Sequence, residues 1–354
     1  MNNYFLFVLF ISLLEKIEID YLFFYFCHRH SFQSAFSKSA QMASSKYTIL
    51  FHGNCIDGWF SAFIAYTALK NTNTIKMFPI SPSATHTWPT YPEIAGTHVL
   101  LLDVSVAKEH RDTWMAAGAL SIKCIDHHAS ALEHSWPIGT INTAACAALQ
   151  TWYAFYPGMH IPPWLMIVDR IDRWDNPTYE DRCVREVLNV IAHKPVQKKL
   201  DEAIKMSEEL LTTINDPGAI AALVMKGVTI LDKKDAELLS ILNKGVFMFI
   251  GADNIALWDL PRSWLGMTIY IIDNSGITLD TTEAAHLVFT KYPVCSVFIN
   301  YRKKTVAGGK TLFTYSARSH GVNLTDGTIL RGHPTAAGAT FIKKVGEMAP
   351  FELR

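Results

Sequence analysis

Three hydrophobic runs in the first half of the chain each end in carboxylate or imidazole side chains, and this limits the fold more than any other feature. Tyr47-Thr48-Ile49-Leu50-Phe51 leads into His52, Cys55 and Asp57-Gly58. Val99-Leu100-Leu101-Leu102 stops at Asp103, and the apolar run over residues 120–125 delivers Asp126-His127-His128. Short apolar runs separated by helical patterns predict a parallel sheet with helical crossovers. In such a sheet, ligands bind at the carboxyl ends of the strands. The expectation is therefore an α/β fold with Asp and His gathered along one sheet edge.

The intervening segments support this. Trp59, Phe60, Phe63 and Ile64 follow helical spacing, with Asp57 near the helix start. A weaker strand is predicted at 75–80, with helices near 106–118, 144–155, 163–173 and 180–193. Residues 197–243 read as a helical connector broken at Asn215-Asp216-Pro217-Gly218, with Ile220, Leu223, Val224, Gly227, Ile230 and Leu231 on one face of its second half. Strand-like runs then dominate at 246–250, 267–272, 294–301 and 312–317, with one helix at 281–290. The expected order is an extension at 1–45 outside the fold, a doubly wound, mainly parallel α/β domain at 46–196, the connector at 197–243, and a smaller α+β domain at 244–354.

With 354 residues the chain is long enough for two cores. Its 32 basic and 32 acidic residues cancel, so any surface for a polyanion must be local. The 6 cysteines are scattered without a CxxC pair, which suits a reduced intracellular, cytoplasmic protein. Near the N-terminus, apolar runs at 4–14 and 21–27 are separated by Glu15, Lys16, Glu18 and Asp20. Charges of this kind cost roughly 2.5–3.5 kcal/mol each at mid-bilayer, and neither run reaches the ~20 residues of a span. No membrane partner is expected; organelle targeting by residues 1–45 stays open, as does a start at Met42.

Asp and His ligands without thiolate clusters suit Mn²⁺ or Mg²⁺, the mixed oxygen and nitrogen donors favouring Mn²⁺. A carboxylate can bridge two such ions about 3.5–4 Å apart and so support displacement at phosphorus. Asp169-Arg170-Ile171-Asp172-Arg173-Trp174-Asp175 adds a fourth acidic segment. Its arginines either face phosphate or form a salt-bridged helix end. His52 is either a ligand or a structural histidine, and Cys124 and Cys146 are expected in the core.

Taken together, these motifs resemble the DHH phosphoesterase superfamily, which includes RecJ-like exonucleases, oligoribonucleases, cyclic-dinucleotide phosphodiesterases and family II pyrophosphatases. Asp126-His127-His128 after a strand carries the resemblance, with Asp57-Gly58, Asp103 and Asp169 in matching order. Ser316-Ala317-Arg318-Ser319 and Arg331-Gly332-His333 are similar to the glycine-rich motif of the associated DHHA1 domain. The resemblance spans roughly residues 46–350. It implies hydrolysis of a phosphodiester or phosphomonoester of a nucleotide or short single-stranded oligonucleotide by metal-activated water.

Asp57, Asp103, His127 and His128 are then the catalytic residues. Asp57, Asp103, His127 and Asp169 are implied as ligands for two ions, with Asp172 as alternative to Asp169. Asp126 is implied to act through a neighbouring ligand. His128, Arg318, Arg331 and the Gly332-His333 turn are implied to contact substrate. Many relatives carry Asp where this chain has Cys55, which leaves the first metal site, with His52 and Cys55, open. A pyrophosphatase or polyphosphatase, or a catalytically weak nucleic-acid-binding member, are the alternatives. A homodimer is also left open.

Overall fold

The computed structural model describes residues 44–80, 91–134, 136, 141–175, 177–213, 217–258, 260–277, 279–326, 328, 330–333, 336–343, 349 and 351. The N-terminal apolar runs and Met42 lie outside these residues. The chain forms two compact units, Met1–Ile230 and Leu231–Arg354.

In the first unit, β1 (Lys46–His52), β2 (Thr74–Ile80), β3 (His98–Leu102) and β4 (Ser121–Ile125) form a parallel sheet in the order β2-β1-β3-β4. Side chains alternate between its faces. Ile49, Phe51, Leu100, Leu102 and Ile125 enter one core, while Leu50, Val99, Leu101 and Cys124 enter a second on the opposite side. Burial on both faces explains the near-continuous apolar strands. Strand order reverses between β1 and β3, which opens a crevice at their carboxyl ends.

Helix α1 (Ile56–Leu69) follows β1, and every residue from Ile56 to Ala65 is buried. A helix apolar all round must be covered on all sides. The short α2 (Tyr91–Ile94) and α3 (Lys108–Ala116) are the other crossover helices of the sheet. Helices α4 (Ala147–Phe155), α5 (Pro163–Asp172) and α6 (Tyr179–Ala192) pack against α1. Trp59, Phe60, Phe63 and Trp164 are fully buried at these contacts. Burial of each such side chain stabilises the fold by about 1.5–3 kcal/mol.

Asp181 ties two of these helices together. It completes a capping box with Thr178 at the start of α6. Both of its oxygens also accept from Arg170 on α5, at 3.0 and 2.6 Å. Of the two roles open for Arg170, the structure shows the salt-bridged one.

Helices α7 (Leu200–Thr213) and α8 (Pro217–Leu242) lie to either side of the break expected near 215–218, of which Asn215 and Asp216 lie outside the described residues. Leu223 and Leu231 are buried as the periodicity predicts, but Ile230 is 41% exposed. Gly227 sits against α6 so closely that a Cβ would lie 2.0 Å from the Cys183 carbonyl oxygen. Among the described residues, no helix is long and apolar enough to cross a membrane.

In the second unit, β5 (Val246–Phe249), β6 (Thr268–Asp273), β7 (Cys295–Val306), β8 (Lys310–Ser319), β9 (Arg331–His333) and β10 (Ala336–Lys343) form a mixed sheet in the order β5-β6-β7-β8-β10-β9. Short helix α9 (Ala252–Trp258) follows β5, and α10 (Thr281–Lys291) links β6 to its parallel neighbour β7. Val297, Ile299, Tyr301, Phe313 and Tyr315 bury one face, while Phe298 packs with α10 residues on the other. The turn expected at Gly332-His333 is instead part of edge strand β9, which pairs antiparallel with β10. Pairing with a neighbour satisfies backbone groups that a turn would leave to solvent.

Two stability outcomes follow. Asp181→Asn is expected to lower unfolding free energy by about 1–3 kcal/mol at pH 7. Burial opposes the Asp181 charge, but Arg170 and Thr178 outweigh it and hold the carboxyl below its ordinary value. Its contribution is therefore present above the ordinary Asp value near ~4 and lost as pH falls through the folded value. Urea midpoints of the two proteins should converge at acid pH; a constant gap would disprove the assignment. Gly227→Ala should also be destabilising, because the added methyl meets backbone rather than a mobile side chain.

Candidate metal centre

Elements β1, α1, β3, β4 and α5 of the first unit deliver the side chains of the site. Strand β1 ends at His52, and the chain turns through Asn54, which has a positive φ of 59°, to Cys55 ahead of α1. Gly58 is required in the first turn of α1, since a Cβ there would sit 2.2 Å from the His52 carbonyl oxygen. That close approach brings Asp57 under the end of β1.

Asp57 is 0% exposed, and its carboxylate accepts from Ala147 N at 2.8 Å and Ala148 N at 2.6 Å. These are the otherwise unpaired N–H groups at the start of α4, where the helix dipole also favours negative charge. Cys146 N, one residue earlier, donates to Asp169 at 2.7 Å. Helix α4 therefore begins on two buried carboxylates.

Asp103 directly follows strand β3, and its N–H is held by Ile125 O of β4 at 2.9 Å. Its φ of 58° lies in the left-handed region. Asp tolerates that region better than most residues, and strain of this kind gathers at functional sites. The conformation turns its carboxylate between two imidazoles. Oδ2 lies 3.2 Å from His52 Nδ1, and Oδ1 lies 3.3 Å from His127 Nε2.

After β4, Asp126 organises its own turn. Its Oδ1 accepts from His127 N at 2.7 Å and from His128 N at 3.1 Å, and lies 2.8 Å from His128 Nδ1. His127 Nε2 consequently faces three carboxylates, at 3.1 Å from Asp172, 3.3 Å from Asp103 and 3.6 Å from Asp57.

The fourth acidic segment differs from the expectation. Asp172, the alternative, is the residue α5 places in the cluster. Asp169 lies one turn back on α5 and is held by Arg173, with contacts of 3.1 and 2.6 Å, as well as by Cys146 N. Arg173 is thus engaged with a carboxylate. Position along the sequence could not separate two acids three residues apart on one helix face.

Charge crowding has consequences for each group. Burial raises the Asp57 carboxyl well above its usual range, and Asp103 and Asp172 add to the effect. Burial and Asp103 push Asp172 up to about 6. Burial acts the same way on Asp103, but His127 and His52 override it and hold this carboxyl below its ordinary value. Burial opposes the charged form of His127, yet Asp103, Asp172 and Asp57 push it up to about 10. Its hydrogen bond to Asp126 raises His128, against the effect of burial. Burial, reinforced by Asp103, Asp172 and Asp57, also pushes the Cys55 thiol well up.

Three sets of donor atoms each lie within 4.8 Å of one another: His52, Cys55 and Asp103; Asp103, His127 and His128; and Asp57, His127 and Asp172. Asp103 Oδ1 and Asp172 Oδ2 are buried without a hydrogen bond of acceptable geometry. Buried oxygens left in this state normally have a further partner. An oxygen-rich donor set with imidazole fits a divalent cation. The N–H donors of α4 were not foreseen, because backbone groups have no sequence signature.

In the second unit, Arg318 on β8 directs Nε and Nη2 to Thr282 Oγ1 at 3.2 and 3.0 Å, close to the start of α10. Sheet register aligns Arg318, Ala336 and His333 in one row across β8, β10 and β9, with Gly332 opposite Ala337 and Arg331 opposite Gly338.

No protein-family model matches the chain, and no curated protein does. Solved structures do match. RecJ in complex with Mn²⁺ from Thermus thermophilus gives a TM-score of 0.42 at 14% identity, covering 84% of this chain and 50% of that one. This chain therefore spans about half the length of the Thermus protein. Exonuclease RecJ bound to manganese gives 0.38 at 15% identity, covering 84% and 86%. An exopolyphosphatase-related protein from Bacteroides fragilis gives 0.42 at 12% identity, covering 87% and 89%.

The role of Asp169 as a pin between α4 and α5 has a direct check. Asp169→Asn should lower unfolding free energy by about 1.5–3 kcal/mol, the range for hydrogen bonds to a charged group. Urea unfolding at neutral pH measures this, and an unchanged midpoint would show that the pin contributes nothing.

Proposed function

We propose that this chain is a divalent-metal-dependent phosphoesterase of the DHH type, hydrolysing a phosphoester of a nucleotide or short single-stranded oligonucleotide. The observation behind this is Asp103, buried at a strained strand exit, with one oxygen toward His52 and the other toward His127. That placement suits a carboxylate shared between two cations. Asp57, Asp103, His127 and Asp172 would hold one Mn²⁺ or Mg²⁺, and Asp103 would meet a second beside His52 and Cys55. Such an ion, when bound, neutralises charge developing on phosphate oxygens and acidifies a water.

The chain's own groups keep this arrangement rigid. Ala147 and Ala148 prevent the Asp57 carboxylate from rotating away, so its position does not depend on a ligand. Asp126 fixes the backbone of both histidines. His128, whose side chain is 46% exposed, is oriented by Asp126 and free to meet a phosphate oxygen or the leaving group. In the second unit, Arg318 beside the start of α10 offers a cationic donor for a phosphate. A substrate needing few phosphate contacts agrees with a formal net charge of zero.

The test is Mn²⁺-stimulated hydrolysis of a chromogenic phosphodiester by the full chain. Asp103→Asn and His127→Ala should both fall to background. Asp172→Asn should weaken Mn²⁺ binding about tenfold or more in calorimetric titration, while Asp169→Asn should leave it near wild type. Full activity in Asp103→Asn, or equal loss of affinity in the Asp169 and Asp172 variants, would overturn the assignment.

A further inference from the structure

Building on the phosphoesterase proposal, we infer that the two cation positions differ in chemistry. The position formed by His52, Cys55 and Asp103 binds its ion through the Cys55 sulfur and selects a thiophilic ion such as Zn²⁺ or Co²⁺. The position formed by Asp57, His127 and Asp172 takes a harder ion such as Mn²⁺ or Mg²⁺.

The geometry is specific to this chain. Sulfur, imidazole and carboxylate donors of the first set all lie within 4.8 Å of one another. Cys55 immediately precedes α1, and its sulfur faces the Gly58 backbone in the first turn as well as the His52 and Asp103 donors. The second set contains only oxygen and nitrogen, and its Asp57 is immobilised by α4. A thiolate–imidazole–carboxylate set matches Zn²⁺ and other borderline ions, whereas carboxylate-rich sets suit Mn²⁺ and Mg²⁺. On binding, the ion replaces the thiol proton, which passes to solvent.

Two features argue against a purely packing role for Cys55. Cys124 and Cys146 belong to apolar cores, whereas the Cys55 sulfur lies within 4.8 Å of donor atoms of both His52 and Asp103. Asp103, which would be its co-ligand, turns Oδ2 toward His52 at 3.2 Å on the same side as Cys55.

Cobalt reports sulfur ligation by itself. The chelator-stripped full chain is titrated with Co²⁺ while absorbance is followed. The expected result is a strong near-ultraviolet thiolate-to-cobalt band together with the weaker visible bands of bound Co²⁺. Cys55→Asp, which keeps a ligand at the position, should lose the near-ultraviolet band and keep the visible ones, and Cys146→Ser should keep both. Competition should show Zn²⁺, but not Mg²⁺, displacing the sulfur-bound cobalt, with the Zn²⁺-over-Mn²⁺ preference falling about tenfold in Cys55→Asp.

Visible bands without the near-ultraviolet band in wild type would overturn the inference, as would a near-ultraviolet band that survives in Cys55→Asp. Absence of any cobalt uptake would overturn both this and the proposed function. A Cys55-dependent band in a protein that hydrolyses no phosphoester would sustain the site and refute only the activity.

Discussion

Asp57 has lost all contact with water, and a carboxylate in that position is tolerable only where donors replace the solvent. Helix α4 provides them. Its first N–H groups, on Cys146, Ala147 and Ala148, have no partner within the helix and close instead on Asp169 and Asp57. The exchange is mutual, since each carboxylate completes a helix end that would otherwise be buried with unpaired donors. It also joins α1, α4 and α5 through polar contacts of fixed geometry, where apolar packing alone would permit sliding. The cluster is rigid because its least mobile member is anchored to backbone.

The sheet contributes a different constraint. Reversal of strand order between β1 and β3 places two strand exits side by side, and the exits carry His52 and Asp103. At Asp103 the backbone adopts a left-handed conformation, which costs roughly 1–2 kcal/mol for a residue with a Cβ. A bond from its N–H to Ile125 O offsets this and holds the turn. The carboxylate then stands between imidazoles from β1 and from the β4 exit. Burial and the neighbouring acids raise Asp57 and Asp172, while His127 and His52 lower Asp103.

Much of this was legible in the residues. The alternating apolar runs correspond to β1 through β4, and His52, Asp57, Asp103 and His127 meet as the strand-edge argument requires. The choice between Asp169 and Asp172 was not legible. Both sit on α5, three residues apart, and only the direction of Arg173 and the position of α4 decide which of them reaches His127. The Arg331–His333 segment resembled a turn because Gly permits one, yet pairing with β10 made it a strand. Ile230 fits the apolar stripe of its helix but remains exposed, because periodicity identifies a face and not where the covering ends.

What the sequence determined by itself was the grammar: which runs are strands, which side chains leave them at the carboxyl edge, and that hard donors predominate there. Hydrophobic period and residue chemistry are local properties, so they survive in one dimension. Tertiary structure alone decided which acid is a pin and which reaches His127, and that a helix N-terminus clamps Asp57. Those outcomes depend on distances between segments far apart along the chain and on backbone N–H groups, which every residue except proline carries and which therefore leave no mark in the sequence.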